Sequence, residues 1–264
     1  MKNYILLLFA LTFIFSCGPY QKALKSDDAA LKYQMADSLY TIGKYSKALK
    51  LMEDIIPAYR GKPQAERLMF FYADTYFHLE DFYLSGYQFE RFARSYPLSD
   101  KVEEAAFKGA KSYYELSPRY SLDQKDTYIA LEKLQTYINT YPDSDLIPEA
   151  NKLVLELNTK LQKKDFEIAK QYFHVEDYKS AIEAFENFIV DHPGSIYRSE
   201  AFLMRLKAAY NLAIKSFDVL VEERLENAKK FYNSFNKYYT DSEFKEEADS
   251  IFADIEKELE KKQS

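Results

Sequence analysis

The stretch Tyr178–Phe202, YKSAIEAFENFIVDHPGSIYRSEAF, decides the fold. Its apolar residues Tyr178, Ala181, Ile182, Phe185, Phe188 and Ile189 recur at i, i+3, i+4, i+7, i+10 and i+11, a single stripe of a 3.6-residue period, so the segment predicts half of a helical hairpin. Pro193 and Gly194 end the helix, because proline has no N–H for the ladder and glycine accepts the positive φ often needed past a helix end. Ser195 is placed to cap the helix that follows.

The same spacing recurs along the chain. Phe82, Ser85, Phe89, Phe92, Pro97, Ser99 and Ala105 match Tyr178, Ala181, Phe185, Phe188, Pro193, Ser195 and Ala201 without a gap. A further copy runs Ala130, Leu134, Tyr137, Pro142, Ser144, Ala150, and another, lacking the proline, runs Ala228, Tyr232, Phe235, Ser242, Ala248. Tyr45, Ala48, Met52 and Ile55 begin one more. Repeated helical hairpins predict an all-α solenoid, in which each hairpin buries its apolar stripe on its neighbours. Expected helices run over 27–42, 45–59, 63–79, 81–96, 99–116, 125–141, 145–175, 178–192, 199–216, 222–239 and 243–262. The seventh, roughly 45 Å long at 1.5 Å per residue, joins two halves, 27–144 and 145–264. The last carries Phe244, Ala248, Ile251, Phe252, Ile255 and Leu259 on one face and Glu and Lys elsewhere, as a polar-backed cap should.

Composition agrees. Six Gly and eight Pro in 264 residues leave few turns for a β-rich fold, while 24 Tyr and 20 Phe suffice to pack many short hairpins. Residues 17–150 hold 17 basic and 20 acidic side chains, and 151–264 hold 18 and 22, with no basic block, which argues against a nucleic-acid partner. At the N-terminus, Lys2 and the apolar run Tyr4–Phe15 are too short to span a bilayer and suit a secretory signal over 1–16. Cys17, the sole cysteine, closes that run and resembles a bacterial lipobox, with Phe15 bulkier than usual two residues before it. The mature chain would then begin at an acylated Cys17 followed by a tether over 17–26, with no cofactor beyond that covalent lipid and no metal. Contact with the membrane is expected through the lipid alone.

Two units match the tetratricopeptide register closely: Met69, Tyr72, Ala73, Tyr76, Ser85, Phe89, Pro97, and Ile168, Ala169, Tyr172, Ala181, Phe185, Pro193. Two others have longer turns, at Ser117–Asp123 and Ser216–Val221. The lipobox, about five irregular tetratricopeptide-like hairpins with Tyr96-Pro97-Leu98-Ser99 and Tyr141-Pro142-Asp143-Ser144 turns, the long helix ending Ile168-Ala169-Lys170-Gln171-Tyr172 and a capping helix together resemble the BamD family. That resemblance implies an outer-membrane lipoprotein facing the periplasm, a scaffold of the β-barrel assembly machinery. Its implied partners are BamA, docked on the C-terminal half, other subunits of the machinery, and unfolded outer-membrane proteins. A generic tetratricopeptide adaptor of the envelope fits the residues as well. A SusD-type glycan-binding lipoprotein fits less, since such proteins are much longer and often stack sugars on Trp, which this chain lacks.

Catalysis lacks its parts. Three His, no H-E-x-x-H, no glycine-rich phosphate loop and one Cys given to lipid leave no metal or nucleophile site. His192 fills a slot held by Tyr96, Tyr141 and Tyr239 in other units, so a structural role is expected for it, while adjacent acids such as Glu103-Glu104 and Glu246-Glu247 point apart on a helix and are expected to form solvated faces. Binding has a better candidate. In a tetratricopeptide unit the fifth and twelfth positions of the first helix face the concave side, giving Tyr33 and Tyr40, Phe70 and Phe77, Phe107 and Tyr114, then Phe166 and Phe173, all aromatic. With Arg67, His78 and Lys111 beside them, the N-terminal half is expected to offer an aromatic trough with basic edges, suited to an extended chain ending in an aromatic residue and a carboxylate. The alternative is that these rings pack helix on helix.

Overall fold

The computed structural model describes residues 18–263, so Cys17 and the signal segment lie outside it. Twelve α-helices and no strand occur among the described residues. They are α1 (Pro19–Lys25), α2 (Ala29–Thr41), α3 (Tyr45–Tyr59), α4 (Ala65–His78), α5 (Phe82–Ser95), α6 (Val102–Leu116), α7 (Lys125–Thr140), α8 (Ile147–His174), α9 (Tyr178–Asp191), α10 (Arg198–Ile214), α11 (Asp218–Tyr238) and α12 (Lys245–Gln263). The fold is a tetratricopeptide-like α-solenoid. Within each compact unit, helices pack on their sequence neighbours, and first helices of successive hairpins also touch, α4 on α6 and α10 on α12.

The turns show how the repeat is built. Between the helices of a hairpin, Gly43, Glu80 and Glu176 each take a positive φ (72°, 59° and 63°). Each N–H returns to the carbonyl three residues back, and the next N–H reaches back five residues, as in Asp81 N to Tyr76 O (3.0 Å) and Asp177 N to Tyr172 O (3.0 Å). This is the left-handed closure that absorbs orphan carbonyls at a helix end. Asp81 and Asp177 then cap α5 and α9, accepting from Leu84 N and Ser180 N at 3.2 Å.

Between hairpins, the recurring serine closes the turn. Ser99, Ser144, Ser195 and Ser242 accept from the N–H two residues on, at 3.0, 3.1, 3.2 and 3.2 Å. Ser195 therefore works inside the turn, and Tyr197, not Ser195, stands at the N-cap of α10. Ser99 and Ser144 also donate to Glu66 and Glu103 at the start of the preceding first helix, which stitches one unit to the next. His192 does what the tyrosines do in its slot: it packs on Phe188 (4.9 Å), as Tyr96 packs on Phe92 (5.3 Å) and Tyr239 on Phe235 (5.8 Å), and its Nε2 lies 3.1 Å from Asp165.

Three expectations change. The segment expected as a tether forms α1, because Ala23 is fully buried and Tyr20 and Leu24 pack on the α2–α3 core. α11 begins at Asp218, one turn before the expected 222, so the longer turn expected over Ser216–Val221 is short. The chain divides into two compact units within α8, after Val154, with Arg119–Asp123 joining the second, and not at 144/145. At 28 residues α8 is long enough to serve both: Ala150 and Leu153 are buried near its start, Phe166 and Ala169 in the core of the second unit.

Candidate binding surfaces

The first unit carries the expected aromatic residues on α2, α4 and α6, but they do not form one continuous trough. Phe70 and Phe107 are each only 5% exposed. Phe70 packs against Phe89 and Phe92 of α5, at 5.7 and 5.5 Å, and Phe107 against Tyr137 of α7, at 5.3 Å. Phe166 does the same on α9, against Phe185 and Phe188. The fifth position thus faces the partner helix of its own hairpin and belongs to the core. Tyr33 is half-buried and stacks on Tyr59 at 5.1 Å. The twelfth-position rings Tyr40, Phe77, Tyr114 and Phe173 are also half-buried.

A cleft of about 380 Å³ does form on this unit, lined by Pro63, Glu66, Arg67, Phe70, Phe71, Phe92 and Lys101. Its floor is aromatic and its rim charged. Arg67 lies 4.9 Å over the Phe71 ring and pairs with Asp37 at 2.6 Å; Lys101 lies 5.4 Å from the Phe70 centroid and pairs with Glu104 at 2.7 Å. Burial raises the Glu104 carboxyl, but the hydrogen bonds and charges of Lys101 and Lys108 outweigh it and hold the group below its usual range. The two neighbouring acids expected to diverge do so, with Glu103 taking the Ser144 hydroxyl and Glu104 taking Lys101 and Lys108. Lys111 pairs with Glu149 at 2.7 Å, away from the cleft residues.

Behind the cleft sits a carboxylate that the sequence reading passed over. Asp74 of α4 is buried and accepts from the Tyr40 hydroxyl of α2 and from Lys108 Nζ of α6 (2.6 Å), and His78 Nε2 lies 3.2 Å from it. Tyr40 stacks on Phe71 at 4.3 Å, and burial followed by the Asp74 hydrogen bond pushes its phenol far above the usual range. His78 stacks on Tyr45 at 4.2 Å. Asp is almost never fully buried unless paired, so its type alone gives no sequence signal; only the placement of one donor on each neighbouring first helix would have revealed it.

The second unit presents a different surface. Ile214, Phe217 and Val219, at the α10–α11 turn, are 45%, 84% and 87% exposed. Lys215 holds this turn by pairing with Glu176 (2.8 Å) and donating to the Tyr178 hydroxyl (2.9 Å), while Arg224 donates to Ser216. A cleft of about 510 Å³ lies along α8, lined by Tyr120, Ser121, Lys164, Glu167, Ile168, Gln171 and Tyr172. Among the described residues there is no group of three or more His, Cys, Asp or Glu arranged to hold a metal, and no helix long and apolar enough to cross a membrane.

The family model YfiO, outer membrane lipoprotein, matches residues 25–218. No curated protein matches the sequence significantly. Among solved structures, the chain is similar to the TPR2AB-domain:pHSP90 complex of yeast Sti1, at 12% identity and a TM-score of 0.38 over 86% of this chain and 98% of that one. It is also similar to a Podosopora anserina putative kinesin light chain with nearly identical TPR-like repeats, at 12% identity and a TM-score of 0.33 over 78% and 95%.

Proposed function

Because the chain belongs to the YfiO family of outer membrane lipoproteins, we propose that it is a non-catalytic docking scaffold of the β-barrel assembly machinery, acylated at Cys17 and facing the periplasm. Its partners in this reading are BamA, further subunits of the machinery and unfolded outer-membrane proteins. The observation that carries the docking role is the corner at Phe217 and Val219, both more than four-fifths exposed. Fully burying two such side chains is worth about 1.5–3 kcal/mol each, a gain the isolated chain leaves unused. Lys215 ties the corner to Glu176 and to the Tyr178 hydroxyl, contacts that would lower the ordering cost of binding.

The cleft of the first unit supports the second half of the reading. An aromatic side chain would lie against Phe71, and a terminal carboxylate would compete with Asp37 for Arg67 or with Glu104 for Lys101. Because both cations already hold an acid, such a contact favours specificity over raw affinity.

Purification of the tagged protein from its own membranes tests the assignment. BamA is expected to accompany the wild type and to be lost with Phe217→Ser/Val219→Ser, whose helicity is unchanged because both residues are exposed. BamA retained by the double variant would remove this corner from the interface. Consistent recovery of peptidoglycan or division enzymes, with no BamA from the wild type, would favour a generic envelope adaptor.

A further inference from the structure

In the acylation reading, on which this inference rests, the lipid sits on Cys17, and only Gly18 separates that residue from the first turn of α1 at Pro19. α1 is no free strap. Its Ala23 is fully buried, Tyr20 and Leu24 pack on the α2–α3 core, and Lys47 of α3 lies 5.1 Å over the Tyr20 ring. The chain immediately after the anchor is therefore fixed to the corner where α1 meets the start of α3. Lys25, at the far end of α1, is six residues on from Pro19, about 9 Å at the helical rise.

That corner is basic in a chain that is not. Residues 18–62 hold eight Lys and Arg against five Asp and Glu, whereas the whole chain carries a net charge of −6. Most of the five acids are engaged. Asp37 pairs with Arg67, Asp54 with Lys32, Glu53 accepts from the Tyr76 hydroxyl, and Asp28 caps α2 through Ala30 N and Leu31 N. Lys22, Lys25, Lys44 and Lys47 are exposed, and no ion pair holds them among the described residues. We propose that this edge rests on anionic phospholipid headgroups of the leaflet that carries the anchor, so that the first unit contacts the membrane through protein as well as lipid. Attraction of lysines to an anionic surface acts within about a Debye length, roughly 8–10 Å, and Lys22 and Lys25 lie within about 9 Å of Pro19 along α1. The covalent tether supplies the high local concentration that makes weak contacts count.

The test uses residues 18–264, which contain all twelve described helices and lack Cys17. Sedimentation with vesicles of phosphatidylglycerol in phosphatidylcholine is expected, with little binding to phosphatidylcholine alone, and release in about 0.5 M salt, where the Debye length falls to about 4 Å. Lys22→Gln/Lys25→Gln/Lys47→Gln is expected to weaken binding about tenfold or more. Lys179→Gln/Lys230→Gln/Lys237→Gln, with the same change in net charge, is expected to leave it unaltered. No binding to the anionic vesicles, equal binding to neutral ones, or equal loss in both triple variants would overturn the proposal; thermal unfolding of each variant confirms that it is folded. Absence of acyl label on Cys17 in the full chain would defeat the anchor reading alone, because the vesicle measurement does not involve it.

Discussion

Replacing Phe70 with alanine separates packing from binding at the cleft of the first unit. The ring is 5% exposed and makes edge contacts with Phe71, Phe89 and Phe92 at centroid distances of 6.4, 5.7 and 5.5 Å. Truncation to Cβ removes roughly 120 Å² of buried apolar surface, or about 3 kcal/mol at about 25 cal/mol per Å². The cavity that α4 and α5 cannot fully close raises the cost to about 3–5 kcal/mol. Arg67→Gln, at the rim of the same cleft, loses a largely exposed ion pair and should cost less than about 1 kcal/mol. Urea unfolding followed by circular dichroism measures both. Hydrogen exchange localises the loss, which is expected in α4–α6 and not in α10 or α11. A Phe70→Ala penalty below about 1 kcal/mol, together with lost affinity for an aromatic-ended peptide, would show that the ring stands free in the cleft and that the core assignment is wrong.

Glu80→Gly and Glu176→Gly should each raise stability by about 0.5–1 kcal/mol, since both residues hold the left-handed conformation that Gly43 holds without strain; a lower thermal midpoint would refute this. Hydrogen bonds from the Ser180 hydroxyl and then its N–H hold the Asp177 carboxyl below its ordinary value of 3.8, a shift only slightly opposed by desolvation. A depressed folded-state value means stability that is fully present above the unfolded value of 3.8 and is lost as the pH falls from there through the folded value, so the stability gap between wild type and Asp177→Ala should be open at neutral pH and shut in strong acid; a gap independent of pH would show that the charge is irrelevant to the cap. Cys17→Ser should abolish fatty-acid labelling and release the chain from membranes, and an unlabelled variant that stays membrane-bound would count against the anchor.

The hairpins were legible because the apolar period and the punctuation agree. The serine at position 99, 144, 195 or 242 and the aromatic four residues after another ring recur at fixed offsets, and the structure puts each to the same use. α1 was not legible: seven residues with Pro19 at their start carry no period, and the helix exists because Ala23 and Leu24 find an apolar surface already made by α2 and α3. Nor was the direction of the fifth-position rings. Sequence spacing fixes which residues share a helix face, but whether that face meets a partner helix or the concave side turns on the crossing of the helices. Phe70, Phe107 and Phe166 all resolve toward the partner helix. Phe71, one residue away, becomes the cleft floor instead, and Lys101 joins it because the turn closed by Ser99 carries it back over α4.

Asp74 gives the first unit its rigidity and also limits how it can change. Its carboxylate, on α4, accepts one donor from α2 and one from α6, so three successive first helices are tied at a single buried charge. A buried pair of this kind adds little net stability over a well-packed apolar substitute, yet removing one partner strands the other and typically costs about 3–5 kcal/mol. The network is therefore better understood as fixing register than as adding stability. Tyr40 links it to the cleft, since the same side chain whose hydroxyl binds Asp74 stacks on Phe71. Sliding α2 along α4 would break the hydrogen bond and the stack together. The floor of the cleft is thus held in place by a charge outside its lining, and the peptide proposed to bind there would meet a surface already ordered, with Arg67 kept over Phe71 by Asp37 of that same helix α2.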